Sequence, residues 1–165
     1  WEKNLTLREA FQASCVPCFQ YIAQKIGVER MNAYLEKINY PPMVVNDSTL
    51  TDFWLRGPSR ITAFQQIAFL EKLKTKKLPI ADKTYEEILR IMVIEQTTSH
   101  ALYGKTGWSY QESNNNGWFV GFIDKHNKTY YFALNVEPKD ASELTKFIPG
   151  RKQAILEVLT IMNIL

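Results

Sequence analysis

The sequence predicts an α+β fold, with a mostly helical subdomain over residues 1–99 and antiparallel strands with a terminal helix over 100–165. Three observations predict it. Apolar residues recur at three and four from Leu5 to Ile26, the period of a helix with one buried face. The composition turns aromatic and β-branched near residue 100, in ALYGKTG, GWFVGFID and TYYFALNVE. An amphipathic helical pattern returns over 151–162.

Taken in order, Thr6 caps the first helix, with Glu9 as the reciprocal partner three residues on. Pro17 lacks the donor that a helix interior needs, so the chain bends near 14–17 and Ser14 stands at a helix start. Gly27 ends that segment, and VERMNAYLEKI at 28–38 forms another helix. Pro41, Pro42 and Gly57-Pro58 make 39–59 mostly loop. Ser59 caps ITAFQQIAFLEKLKTKK, and Asp82 caps KTYEEILRIMVIE. Three strands then run as a meander through polar connections at 114–117 and 124–128. The last helix begins at Arg151, after Pro149-Gly150. A sheet this apolar needs cover on both faces, and its TYYFALNVE edge needs a partner. A second copy, making a homodimer, or a segment upstream of Trp1 would supply one.

Composition narrows the function classes. Net charge is only +3 and the lysines of KLKTKK have no aromatic platform beside them, which argues against nucleic acid. They suit the C-terminal end of a helix. No apolar run approaches the roughly 18 residues of a membrane span. The chain opens on Trp1 rather than Met, so an export signal is expected upstream. The two cysteines, in CVPC at 15–18, are too few for a zinc site. A redox pair would sit at a helix N-terminus after a strand; within a helical pattern, buried thiols around a proline bend fit better.

The chemistry-bearing run is YGKTGW at 103–108. Lys105 would supply positive potential and Thr106 an O–H donor, while Gly107 permits close approach of a ligand or backbone. On a strand Lys105 and Thr106 face opposite ways unless Gly107 twists the end. Arg151 offers a bidentate fork for the same anion, or else simple surface solvation. Ser14 is either a small helix residue or a proton relay. Trp54 and Leu55 either pack over core or roof a cleft. His100 and His126 have no set of neighbouring ligands.

As a set, Ser14-Cys15-Val16, DFWLRGPSRITAFQQIAFLEKL, KTGW and NNGWFVGF resemble a class D (oxacillinase-type) serine β-lactamase. The related penicillin-sensing receptor domain fits nearly as well. The resemblance implies a β-lactamase/transpeptidase-like fold, incomplete because the N-terminal third with the nucleophile would be missing. It implies a periplasmic or extracellular hydrolase and antibiotic-resistance protein acting on β-lactam small molecules through an acyl-enzyme. It also implies no metal, with carbon dioxide or bicarbonate carbamylating a lysine base. Residue by residue, it makes Ser14 the proton shuttle and Val16 the apolar wall over the base. Lys105, Thr106 and Gly107 become the Lys-Thr-Gly strand, with Thr106 and Arg151 on the drug's carboxylate. The Trp108 backbone N–H becomes an oxyanion donor, while Trp54 steadies the base and Leu55 lines the pocket.

Two features depart from that pattern. The residues three after each serine are Pro17, Thr51, Thr62, Leu102, Glu112, Asn116 and Thr145, so Ser-x-x-Lys is absent. Tyr40 is followed by Pro41-Pro42 where the family has Gly-Asn, which removes two backbone donors. Beside the hydrolase, the expectations therefore include a non-hydrolysing penicillin-binding sensor and an inactive fragment or homologue.

Overall fold

The computed structural model describes residues 4–111, 114–138 and 144–165, excepting the side chains at 110, 111, 114 and 144. Trp1 lies outside them. The fold is α+β, as expected, and its residues group into two compact units, Trp1–Ile61 with Lys76–Met92 and Thr62–Thr75 with Val93–Leu165.

The first unit is helical. Its helices are α1 (Leu7–Gln12), α2 (Val16–Ile26), α3 (Val28–Lys37) and α5 (Asp82–Met92). Thr6 and Glu9 form the expected capping box: the Glu9 N–H donates to Thr6 Oγ1 and the Thr6 N–H to Glu9 Oε2. The chain breaks after α1, and Pro17 falls in the first turn of α2, where its missing donor costs nothing. The cap of α2 is Cys15, one residue beyond the serine expected there. Gly27, with φ +79°, separates α2 from α3. In the long loop, Asn32 Nδ2 donates to the Val45 carbonyl at 3.0 Å and the Val44 N–H to Ser59 Oγ at 3.0 Å. Tyr85 of α5 is buried, its hydroxyl donating to the Leu78 carbonyl at 2.5 Å.

The second unit contains α4 (Ala63–Lys74), α6 (Leu144–Ile161) and a four-stranded antiparallel sheet in the order β1-β2-β3-β4. The strands are β1 (Val93–Gln96), β2 (His100–Gln111), β3 (Asn114–Lys125) and β4 (Lys128–Val136). Four of the sequence expectations change here. Thr62, not Ser59, caps α4, in a capping box with Gln65; Ser59 is engaged in the loop instead. The helix read through Glu95 stops at Met92, and Val93–Gln96 joins the sheet as a fourth strand. The asparagines of 114–117 belong to β3 rather than to a turn. The last helix begins at 144, so Pro149-Gly150 and Arg151 lie inside it.

Register and alternation divide the sheet faces. Leu102 pairs with Ile123, Thr106 with Phe119 and Gly121 with Phe132. These residues share one face, where Ile155, Leu159 and Ile164 complete an apolar core with Leu102, Phe119, Ile123 and Phe132. Tyr103, Lys105, Phe122 and Tyr131 occupy the other face by the same alternation. There Tyr103 stacks on Phe122 with ring centroids 4.7 Å apart, and Lys74 of α4 lies over both rings while donating to Asp124 at 2.6 Å. β3 and β4 join through His126 and Asn127, both at positive φ, as a two-residue hairpin requires.

Two glycines are demanded by close approach. A Cβ on Gly117 would strike the Phe147 ring and Arg151 Cδ of α6. One on Gly121 would strike the Tyr103 carbonyl and, at 2.7 Å, the edge of Phe132.

Candidate functional site

Lys105, Thr106, Gly107 and Trp108 are consecutive on β2, paired with Val120, Phe119, Trp118 and Gly117 of β3. This places Lys105 and Thr106 on opposite faces, and Gly107 does not bring them together. The Lys105 ammonium turns back along its own strand to donate to the Thr106 carbonyl at 2.8 Å. Burial, and secondarily the neighbouring Arg151 charge, lower its pKa from 10.5 to about 8.

Arg151 is not a solvated surface residue. It is only 6% exposed. Its Nη1 donates to the Gly107 carbonyl, a bond spanning 44 residues, and its Nε donates to the Ile148 carbonyl at 3.2 Å. Phe147 lies against the guanidinium, 5.6 Å from ring centroid to Cζ. Burial lowers the pKa of this group too, although a guanidinium stays charged. The absence of a side chain at Gly117 is what admits Phe147 and Arg151 to the strand. The sequence signal for this was the glycine inside a strand pattern. Trp108 is 37% exposed, with its indole N–H directed at Asn115 Oδ1, 3.4 Å away. Lys105 and Arg151 thus place two positive charges near one end of β2, reached from opposite faces of the sheet.

Ser14, Val16, Trp54 and Leu55 belong to the helical unit. Ser14 is exposed at the α1–α2 corner with φ +50°, a left-handed conformation that costs an L-residue roughly 1–2 kcal/mol. Its N–H donates to the Phe11 carbonyl at 3.2 Å. Val16 is the half-buried first residue of α2. Trp54 is 38% exposed and meets Phe53 edge-on, while the Leu55 N–H donates to the Asp52 carbonyl at 2.7 Å.

The CVPC segment differs from the expectation of free thiols, because Cys15 and Cys18 form a disulfide. Their spacing was a signal for this, obscured by the surrounding helical pattern. Among the described residues no cluster of His, Cys, Asp and Glu could hold a metal, and no helix is long and apolar enough to cross a membrane.

With this geometry in hand, comparison with known proteins is specific. A model of the penicillin binding protein transpeptidase domain matches residues 1–151. Beta-lactamase OXA-10 of Pseudomonas aeruginosa is 36% identical over 156 residues, which cover 92% of this chain and 58% of that protein. Beta-lactamase OXA-5, also of Pseudomonas aeruginosa, is 35% identical over 162 residues, covering 96% and 59%. Among solved structures, the class D β-lactamase YbXI from Nostoc superposes with a TM-score of 0.92 at 34% identity. That match covers 100% of this chain and 68% of that one. The chain thus spans a little under three fifths of the curated relatives it matches. Against the expected loss of an N-terminal third stand the extents of these matches on this chain. The family model aligns from residue 1, and the solved fold is matched over all of this chain.

Proposed function

Because the chain belongs to the penicillin-binding-protein transpeptidase-domain family, among its class D β-lactamases, we propose that the whole protein hydrolyses β-lactams through an acyl-enzyme. The observation carrying this reading is the strand Lys105-Thr106-Gly107 with the buried Arg151 guanidinium bonded to its last carbonyl. In this reading Thr106 and Arg151 anchor the carboxylate of the drug, and Lys105, on the opposite face of the sheet, supplies positive potential. Arg151 is held by two backbone carbonyls, so little reorganisation is left for binding. The Trp108 N–H stabilises the oxyanion that develops at the lactam carbonyl. Ser14 passes a proton to the departing lactam nitrogen. Gly107 keeps the strand open to the ligand, while Val16, Trp54 and Leu55 supply apolar walls. The 165 residues contain no Ser-x-x-Lys, so these assignments cover binding, charge stabilisation and proton transfer only.

Carbon dioxide or bicarbonate, as the modifier of a lysine base, has no fitting residue here. Lys105 is already turned to the Thr106 carbonyl, and no lysine of these residues stands three after a serine. A periplasmic or extracellular location is supported by the Cys15–Cys18 disulfide, a bond that persists in oxidising compartments.

A chromogenic cephalosporin tests the proposal on the full-length protein, with intact mass read in parallel. Steady turnover with a transient mass increase is expected. One stoichiometric burst with a lasting adduct would make the protein a penicillin sensor instead, and no adduct would remove β-lactam chemistry altogether.

A further inference from the structure

We propose that the Cys15–Cys18 disulfide is a redox-responsive clamp that holds Ser14 in its left-handed conformation, so that reduction slows the proton transfer assigned to Ser14. That step belongs to the function proposed above; the clamp itself follows from the geometry of the α1–α2 corner.

Ser14 adopts φ +50° without being glycine or asparagine, the residues that reach this region most readily. Something must therefore hold it. On one side stand two backbone bonds to α1: Ser14 N–H to the Phe11 carbonyl at 3.2 Å and Cys15 N–H to the Ala10 carbonyl at 2.9 Å. On the other side stands the first turn of α2, capped by Cys15. A cap normally uses a side-chain oxygen; here the Cys18 N–H reaches only a sulfur, Cys15 Sγ, at 3.3 Å. The covalent bridge does what the oxygen would do. It ties the cap residue to the third residue of the helix, with Cα atoms 5.3 Å apart. A bridge across so few residues removes less denatured-state entropy than a long one, so its effect is mainly local.

The redox step balances with an external dithiol as reductant. Its thiolate attacks Cys18 Sγ and expels Cys15 as thiolate. The second thiol of the reductant then displaces Cys18 and leaves as a cyclic disulfide. Cys15 and Cys18 each end as a thiol, having gained two electrons and two protons between them. Attack at Cys18 fits the exposures, since Cys18 is half-buried and Cys15 only 1% exposed. Two thiols cannot remain at bonding distance; their sulfurs separate to roughly 3.5 Å or more. Cys15 is enclosed, so the first turn of α2 moves, and Ser14 relaxes toward ordinary φ.

The test combines two measurements on the full-length protein across a dithiothreitol titration, with alkylation counting the thiols. The chain's two cysteines are both in the bridge, so the count is unambiguous. Amide exchange at Ser14 and Cys15 is expected to quicken about tenfold on reduction, with the β2–β3 amides unchanged. Acylation by a chromogenic cephalosporin is expected to slow about fivefold while breakdown of a preformed acyl-enzyme keeps its rate, a split that general loosening would not give. Cys18→Ser should match the reduced protein and ignore dithiothreitol. Unchanged exchange at the corner after full reduction overturns the clamp, whether or not the protein turns over β-lactams. Quickened exchange with unchanged acylation overturns the link to Ser14. Absence of turnover in both redox states removes the proposed hydrolase and this link with it, while the exchange result still decides the clamp.

Discussion

In the sheet unit Leu102, Phe119, Phe122 and Ile123 have no exposed surface at all, and the candidate residues Lys105, Thr106 and Arg151 are seated on that lattice. The helical unit buries Tyr85 beside small groups such as Ala10, Cys15 and Ala23, and sets Ser14 at a corner by two backbone bonds and a disulfide. Both means position a side chain, but they fail differently. A residue on a paired strand is fixed by long-range packing and is lost only with the sheet. A residue at a capped corner is fixed by bonds within a few residues, and is lost one bond at a time.

The contrast is broken most severely through the core. Phe119→Ala should lower stability by about 3–5 kcal/mol, read as a urea midpoint, and should release Lys105 and Arg151 together. Any state that lost Phe119 packing but kept Lys105 and Arg151 in place would contradict their dependence on the lattice. Next, Lys105→Ala should slow acylation about 10²-fold, near the effect of removing one charge-stabilising donor, without lowering the urea midpoint. Unchanged acylation would reduce the tripeptide to a well-packed strand. Gly117→Ala forces a Cβ against Phe147 and Arg151, so a loss of about 1–3 kcal/mol is expected, with a raised KM for carboxylate-bearing substrates.

The helical unit answers with smaller, local losses. Thr6→Ala removes the acceptor of one orphan N–H and should cost about 1 kcal/mol, with faster amide exchange in α1 and none in β3. The last effect is electrostatic. The folded pKa of Lys105, about 8, lies below its unfolded value near 10.5, so between these the unfolded chain holds a proton that the folded one has lost. Stability from this group therefore rises with pH through that window, and its charge penalty is in full force below it. Lys105→Met should erase this pH slope, measured as the difference between the two urea midpoints from pH 7 to 10.5.

How much of this was legible depended on how local the cause was. The Thr6–Glu9 box, the Gly27 break and the strand composition after residue 100 were written in neighbouring residues and are found as expected. The Thr62-x-x-Gln65 box was equally local and was passed over for Ser59. β1 was hidden because VIEQ continues the apolar rhythm of α5, and only pairing with Leu102 and Tyr103 makes it a strand. At the candidate site the tripeptide could be read directly, but the grip of Arg151 on Gly107 could not. It joins residues far apart in the chain and depends on a gap at Gly117 that sequence spacing does not measure.

The gap at Gly121 has its own consequence. Its partner across the ladder is Gly104, and an added methyl at 104 would meet the Val120 carbonyl at 2.9 Å. The two positions thus form a backbone-to-backbone seam that admits no side chain. Side-chain variation is closed off along this seam, and a saturation library should show it as a pair of vacant columns. Variation would have to begin at more open positions of the same strand such as Trp108, which is 37% exposed.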